Sequence, residues 1–249
     1  MMSVNCRAQD ILKRTEKGHV FAVFKNTLLL DCCGELVAWV TPDYGPGPFH
    51  IVVQDIPSWD LGTFVSSNQF GVFPPPYWNA SILPFIKPYQ DGSELFPFLK
   101  TQDGGGFREK ISTELAALSH SFRESDLSQM KKAIHGIAGL GPGLTPSGDD
   151  FISGMIFGLW LFKKNPNAWI SVLAQESLDR TNRISQAFLR SAERGEFDAR
   201  WHALLHAVSE NSSQKIEQAL RAIYNYGHSS GKDMLDGLHW IIKELHDGS

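Results

Sequence analysis

The sequence has no long uninterrupted apolar segment. Its most apolar stretch, residues 151–162, is interrupted by Ser153, Gly154 and Gly158, whereas a helix that crosses a bilayer needs about 20 predominantly apolar residues. Residues 1–10 also lack the basic segment and apolar run of a secretory signal peptide. We therefore expect neither a membrane protein nor a secreted one.

Clusters of basic residues are missing as well, and cysteine is scarce. The chain carries 23 Lys and Arg against 27 Asp and Glu, a formal net charge of −4, whereas binding to nucleic-acid phosphates requires a basic surface. The three cysteines are Cys6, Cys32 and Cys33. This odd number is typical of reduced thiols, so we expect a cytoplasmic protein that does not bind nucleic acid.

The first part of the chain has the pattern of short strands. Segments rich in Val, Leu and Phe, separated by turn-forming residues, predict strands at residues 19–24, 28–31, 36–41, 49–54 and 63–66. A short helix is predicted before them, at residues 6–17. The proline-rich segment 73–100 predicts irregular structure, and the glycines of residues 103–106 predict a flexible joint.

The second part of the chain has helical periodicity. Apolar residues recur at every third or fourth position in segments 107–122, 130–137, 151–162, 169–178, 184–192, 201–208, 216–224 and 234–245. Strands followed by helices, rather than alternating with them, indicate an α+β fold. We predict a mostly antiparallel β-rich domain at residues 1–103 and an all-helical domain at residues 104–249.

A glycine-rich loop precedes the most apolar of the predicted helices. Residues 139–154 read GLGPGLTPSGDDFISG, and glycine allows a positive φ or a close approach of the backbone to a ligand. Ser147 is predicted to be the N-cap, with Asp149 and Asp150 at the positive end of the helix. The end of one helix and the start of the next would explain Ser147 and one glycine, but not Thr145 or the other glycines.

Known nucleotide-binding loops do not fit this segment. The dinucleotide fingerprint fails because position 144 is Leu and a predicted helix, not a strand, comes before the loop. The P-loop fails because no Lys follows the glycines. The loop therefore needs another explanation.

A second segment repeats the pattern. Residues 227–237 read GHSSGKDMLDG, in which Ser230, Gly231, Asp233 and Gly237 align with Ser147, Gly148, Asp150 and Gly154 at one constant separation. If the two helices pair about a pseudo-twofold axis, their N-termini face one cavity. Such a cavity would suit an anion, since free N–H groups and helix dipoles point into it.

The carboxylates of this motif leave two alternatives open, because they would repel a bare anion. A bridging Mg²⁺ is one solution, since this ion binds one or two carboxylates together with substrate oxygens. In the other, the carboxylates hold the loops through hydrogen bonds to backbone N–H groups. We favour the second for Asp149, and contact with substrate or metal for Asp150 and Asp233. No other cofactor is predicted, and no residues are assigned as metal ligands.

These segments resemble a known family. Residues 139–154 and 227–237 are similar to the two signature segments of the AllH type of oxamate carbamoyltransferase subunit, and residues 45–53, GPGPFHIVV, resemble its N-terminal segment. The resemblance implies that the protein acts with two other subunits in anaerobic allantoin and purine breakdown. The implied reaction converts oxalurate and phosphate into oxamate and carbamoyl phosphate. The resemblance assigns no residue roles.

Residue chemistry suggests roles for this reaction. Asp150, Asp233 and His228 are the predicted catalytic residues, with His228 as a hydrogen-bond donor or proton shuttle. Backbone N–H groups at helix starts would stabilise the negative charge of a tetrahedral centre. For Arg183, a solvated helix position is the alternative to a bidentate clamp on the substrate. The predicted substrate-binding residues are Gly141, Gly143, Thr145, Ser147, Gly148, Asp149, Ser229, Ser230, Gly231 and Arg183.

Two other functions stay open. The same loops would serve a non-catalytic metabolite-binding or scaffold protein, or a stand-alone Mg²⁺-dependent hydrolase. His202 and His206 lie one helical turn apart, the spacing of a zinc-binding pair, but Ala203 stands where the metalloprotease motif has Glu. We therefore predict no zinc site there.

Overall fold

The computed structural model describes residues 3–66, 77–78, 80–85, 95–99 and 107–247. They form two compact units, Met1–Ser81 with Glu196–Ala199, and Ile82–Gly195 with Arg200–Ser249. The predicted joint at residues 103–106, like most of segment 73–100, lies outside the described residues. The predicted domain boundary between residues 103 and 104 therefore stays a prediction.

The first unit contains a mixed sheet. Its described strands are β1 (Ser3–Asn5), β2 (Lys17–Phe24), β3 (Thr27–Cys32), β4 (Glu35–Val40), β5 (His50–Val52), β6 (Phe64–Ser66) and β7 (Tyr77–Trp78). They lie in the order β6-β2-β3-β4-β5-β1-β7, with parallel pairing only for β4–β5 and β1–β7 within the described part. The predicted mostly antiparallel sheet is confirmed, and the five predicted strands correspond to β2 to β6.

Helix α1 (Cys6–Arg14) packs on this sheet. The Asn5 side chain caps it by accepting a hydrogen bond of 2.8 Å from the Arg7 N–H. Ile11 of the helix joins a core that contains Leu30 of β3 and Ile51 of β5, all almost completely buried. Each such side chain contributes roughly 1.5–3 kcal/mol relative to exposure, so the apolar face of α1 and the buried strands stabilise one another.

The second unit is helical, which confirms the predicted α+β fold. Its helices are α2 (Phe96–Leu99), α3 (Phe107–Lys110), α4 (Ser112–Glu124), α5 (Leu127–Ile137), α6 (Ser147–Phe162), α7 (Asn167–Leu178), α8 (Arg183–Glu193), α9 (Ala199–Ser209), α10 (Ser213–Tyr224) and α11 (Ser230–Asp247). The predicted helix at residues 107–122 is divided at Ile111 into α3 and α4.

The helices differ in how much of their surface is buried. Helix α6 is buried along almost its whole length, as expected for a helix that is apolar on all sides.

No helix in the described part of the chain is long and apolar enough to span a membrane.

Helices α6 and α11 pack backbone to backbone. A Cβ added to Gly154 of α6 would collide with the carbonyl oxygen of Met234, and one added to Gly237 of α11 would collide with that of Phe151. The two contacts are reciprocal, so each helix uses a glycine to admit the main chain of the other. This close approach brings the N-terminal turns of both helices to the same place in the second unit.

We predict that Gly237→Ala destabilises the protein by about 2–3 kcal/mol or more, because the helices must separate to make room for a methyl group. Urea denaturation followed by circular dichroism measures the free energy of unfolding. Gly136→Ala in α5 is the matched control, since the three nearest atoms to its Cβ belong to the Glu114 side chain, which can move, and not to a backbone. We expect this control to be neutral or stabilising by up to about 1 kcal/mol. Equal losses in the two variants would contradict the glycine contact.

Candidate functional site

The first turns of α6 and α11 share one cluster of polar side chains. Thr145 Oγ1 lies 3.0 Å from Ser230 Oγ, which joins the two turns directly. The Asp150 carboxyl interacts with the hydroxyls of Ser230 and Thr145. We call the complete group the crossed Ser–Asp cluster; its members are Thr145, Ser147, Asp150, Ser229, Ser230 and Asp233.

The second carboxyl of the cluster has the reciprocal environment. Asp233 of α11 interacts with the hydroxyl of Ser147, the first residue of α6, and with that of Ser229. Asp150 of α6 meets Ser230, the first residue of α11. Each carboxyl thus reaches across to the serine that begins the other helix, so the predicted convergence of the two turns is seen in the structure.

Both carboxyl groups of the cluster are buried and incompletely hydrogen-bonded. Asp150 is 6% and Asp233 is 7% exposed. Oδ2 of each residue is buried and has no hydrogen-bond partner among the described residues. An unsatisfied buried polar atom costs about 1–3 kcal/mol, so its presence calls for an explanation such as a ligand-binding role.

Burial also changes the protonation of these groups. It raises the pKa of Asp150 well above its usual value; the Ser230 and Thr145 hydroxyls oppose this effect, and negative charge on Asp233 and Asp149 adds to it. Burial raises the pKa of Asp233 too, against the hydroxyls of Ser147 and Ser229 and the positive charge of Lys232. A protonated Asp150 donates a hydrogen bond and does not repel an anion.

The loop between α5 and α6 depends on glycine. Gly139, Gly141 and Gly143 have φ angles of +74°, +109° and +105°, which residues with a Cβ rarely adopt. A Cβ at Gly139 would also collide with the carbonyl oxygen of Arg180. Gly141 and Gly143 are exposed. Glycine at these two positions is explained by the positive φ angles of the loop that leads to Thr145.

Two of the backbone N–H groups predicted to bind an anion are used within the protein. The N–H of Gly148 donates to the carbonyl of Leu140 at 2.9 Å, and that of Gly231 donates to the carbonyl of Tyr226 at 3.0 Å. The expectation that these N–H groups are free is therefore wrong, because each of them donates to a carbonyl in the turn that precedes its helix. The polar side chains of the crossed Ser–Asp cluster are better placed to hydrogen-bond a ligand.

Asp149 holds the loop in place. Its Oδ1 accepts a hydrogen bond of 2.8 Å from the N–H of Gly139, and its Oδ2 accepts one from the Thr181 hydroxyl. Asn182 adds a second tie, because its side-chain amide donates to the carbonyl of Leu144 at 2.9 Å. These contacts agree with the alternative in which the Asp149 carboxylate holds the loop through hydrogen bonds. Its predicted role in substrate binding stays a prediction.

The predicted capping role of Ser147 is wrong. Pro146 occupies the N-cap position of α6, and no side chain caps the helix there. Ser147 is the first residue of the helix, and its hydroxyl interacts with Asp233 instead. Proline is well suited to this helix start because its φ is fixed near the helical value and it has no N–H to leave unsatisfied.

The two remaining predicted residues lie at the starts of other segments. His228 is exposed in the turn before α11, and Arg183 is the half-buried first residue of α8. The cap of α8 is Asn182, whose Oδ1 accepts hydrogen bonds from the N–H groups of Ile184 and Ser185. Thr181 and Asn182 were missed at the sequence level, although Asn before a helical segment is a recognisable capping signal.

An ion pair next to the cluster was also missed. Arg108 Nη2 of α3 lies 2.6 Å from the carbonyl oxygen of Asp236 and 3.1 Å from its Oδ1. Burial raises the pKa of Asp236, Arg108 lowers it, and negative charge on Asp233 raises it. The repeat comparison gave no signal for Asp236, because Ser153 occupies the corresponding position in the first segment.

The described residues contain no group of three or more His, Cys, Asp or Glu side chains arranged to hold a metal ion. Asp150 and Asp233 supply two carboxyl groups, a number that Mg²⁺ accepts when substrate oxygens or waters complete its coordination. A Mg²⁺ ion that bridges Asp150 and Asp233 therefore stays an alternative to protonation of these carboxyl groups.

The helical segment that contains the cluster has a family match. Residues 137–242 match the family model of the oxamate carbamoyltransferase subunit AllH. The AllH match begins at the last residue of α5 and ends within α11, so it includes both turns and every member of the crossed Ser–Asp cluster. The predicted resemblance is confirmed there, while the likeness at residues 45–53 stays a prediction. No solved structure matches the chain.

The raised pKa of Asp150 predicts a specific dependence of stability on pH. A carboxyl whose pKa is raised in the folded state loses stability as pH rises from its unfolded pKa, about 3.9, toward its folded pKa. Asp150→Asn cannot ionise, so we expect this variant to be more stable than the wild type at pH 8. The difference should shrink as pH falls toward 4.

Urea denaturation at a series of pH values measures this difference. Asp179→Asn is the matched control, because it makes the same substitution at an exposed position at the end of α7. An Asp150→Asn difference that is the same at every pH would contradict a protonated Asp150.

Proposed function

We propose that this chain is a subunit of an oxamate carbamoyltransferase, which converts oxalurate and phosphate into oxamate and carbamoyl phosphate. The observation that carries the proposal is the crossed Ser–Asp cluster, where two buried carboxyl groups each keep one oxygen without a hydrogen-bond partner among the described residues. The AllH match over residues 137–242 gives the reaction class. We infer that small anionic substrates bind at this cluster, between the paired helix starts.

The transfer needs groups of the kind that the cluster contains. A phosphate oxygen bonds to the carbamoyl carbon of oxalurate, the bond from that carbon to the oxamate nitrogen breaks, and the nitrogen takes up a proton. Negative charge develops on the carbamoyl oxygen and on the departing nitrogen, so hydrogen-bond donors lower the barrier. A protonated Asp150 supplies one donor, Asp233 relays a proton to the departing nitrogen, and the hydroxyls of Thr145, Ser147, Ser229 and Ser230 supply further donors.

The remaining predicted residues have auxiliary places in this proposal. His228 is exposed at the turn before α11, where it donates to the carboxylate of oxalurate. Arg183 at the start of α8 follows Asn182, which is tied to the α5–α6 loop, and forms a clamp on the same carboxylate. Other subunits of the enzyme complete the site, since the family description is that of a subunit.

We predict that Asp150→Asn and Asp233→Asn each lower turnover by about 100-fold or more in the enzyme reconstituted from all its subunits, since general acid–base catalysis contributes 10²–10⁴-fold. Carbamoyl phosphate formation from oxalurate and phosphate is the measurement, with Asp179→Asn as the matched control. The chain alone should be poorly active. Size-exclusion chromatography shows whether each variant still assembles.

The outcomes separate the alternatives. Turnover within about threefold of the wild type in both variants, with assembly intact, would indicate a metabolite-binding or scaffold role for the loops. Full activity of the isolated chain would contradict the subunit proposal. Hydrolysis that requires Mg²⁺ and is lost with Asp150→Ala would favour the stand-alone hydrolase.

A further inference from the structure

Helices α5 and α6 with their turn, and helices α10 and α11 with theirs, are two copies of one arrangement. In both, a Cβ on the second residue of the later helix, Gly148 or Gly231, would collide with the carbonyl oxygen of an Ile that lies at or next to the end of the earlier helix, Ile137 or Ile223. The corresponding N–H donates to a carbonyl in the preceding turn in both copies. The reciprocal contacts of Gly154 and Gly237 then relate the copies by a local pseudo-twofold axis.

This axis divides the crossed Ser–Asp cluster into two half-sites. The first half-site is Asp150 with Thr145 and Ser230, and the second is Asp233 with Ser147 and Ser229. Each contains one carboxyl group and two hydroxyls. A buried Oδ2 in each lacks a hydrogen-bond partner among the described residues, so both halves have an unused polar atom with which to contact a ligand.

The two half-sites differ in charge at two corresponding positions. At one of them Asp236 corresponds to Ser153, and Asp236 forms an ion pair with Arg108. The residue immediately before Asp150 is Asp149, whereas the residue immediately before Asp233 is Lys232. Asp149 is buried and tied to Gly139 and Thr181. The Lys232 ammonium lies 5.0 Å from the ring centroid of Tyr224, which fixes it beside the second turn. The same fold therefore places a carboxyl next to one half-site and a cation next to the other.

We propose that the half-sites bind opposite ends of one small substrate, with Asp150 donating a hydrogen bond to an anionic oxygen and Asp233 accepting one from an amide N–H. This inference rests on the proposed function and adds the orientation of the substrate. Oxamate has both ends in one molecule, a carboxylate and an amide, and oxalurate has the same two kinds of group. To bind these two ends, Asp150 carries a proton and Asp233 carries a negative charge.

The electrostatic surroundings favour this division. Burial raises the pKa of both carboxyl groups; negative charge on Asp233 and Asp149 raises the pKa of Asp150 further, whereas Lys232 opposes the rise for Asp233. Asp236 is the next carboxyl along α11, and Arg108 of α3 pairs with it. Burial raises the pKa of Asp236 too, Arg108 lowers it, and negative charge on Asp233 raises it. His228, in the turn before α11, is exposed.

The first experiment follows the carboxyl groups directly. We expect carbon NMR of the full chain, labelled with ¹³C in Asp side chains, to show that Asp233 loses its proton at lower pH than Asp150. Asp150→Asn and Asp233→Asn assign the two signals, and neither activity nor a partner subunit is needed. Loss of the Asp150 proton first, or of both together, would overturn the proposal.

The second experiment tests ligand orientation with oxamate and oxalate, measured by calorimetry on the full chain and on the assembled complex. A second carboxylate in oxalate would face the negative charge of Asp233, so the wild type should bind oxamate at least about tenfold more tightly. Asp233→Asn should reduce this preference to about twofold or reverse it, because an amide also donates. Asp150→Asn should keep the preference, because its amide still donates to the carboxylate.

A charge variant tests the source of the difference. Lys232→Gln should raise the pKa of Asp233 and reduce the preference for oxamate, whereas Lys243→Gln, at an exposed position of the same helix, should change neither. Equal effects of Asp150→Asn and Asp233→Asn on the preference, or no oxamate binding by chain and complex alike, would overturn the proposal. If the preference holds but the complex makes no carbamoyl phosphate, the proposed function fails while the substrate orientation stands.

Discussion

The contact between the backbones of α6 and α11 is the constraint on which the site depends. Gly154 and Gly237 lack side chains where the two backbones approach each other closely, and any Cβ there would collide with a carbonyl oxygen of the partner helix. Because Asp150 and Asp233 lie one turn before these glycines, the crossing brings each carboxyl to the first residue of the other helix. The polar cluster is therefore a direct consequence of how the helices pack.

Two opposing electrostatic effects act on the charge of the carboxyl groups at these positions. A helix N-terminus favours a negative charge by about 0.3–1 kcal/mol at an exposed site, but burial disfavours it. Burial raises the pKa of Asp150 well above its usual value, which favours a neutral hydrogen-bond donor over a repelling charge. An anionic substrate can then approach the cluster without a metal ion to neutralise the acids, although a bridging ion is a second way to reach the same balance.

Local pattern was enough to predict most of the fold and the convergence of the two turns. Helical periodicity and the repeated Ser-Gly-x-Asp turns are properties of neighbouring residues, and so are the apolar segments between turn residues that marked β2 to β6. Strands β1 (SVN) and β7 (YW) were not predicted, because neither lies in an apolar segment of that kind. The Arg108–Asp236 pair joins residues far apart in the chain and carries no local pattern. Ser147 was assigned to capping because its tertiary partner, Asp233, cannot be seen from its neighbours.

A pseudo-symmetric pair of turns poses a problem for the proposed group transfer, since donor and acceptor differ chemically and a symmetric site cannot distinguish them. In this chain one such difference is Asp149 in one copy and Lys232 in the other. Asp149 also ties its own loop to Gly139 and Thr181, so one residue both shapes the first half-site and increases the tendency of Asp150 to keep its proton. The helix crossing that both half-sites share fixes the distance between them, and the charge difference makes one half-site chemically distinct from the other.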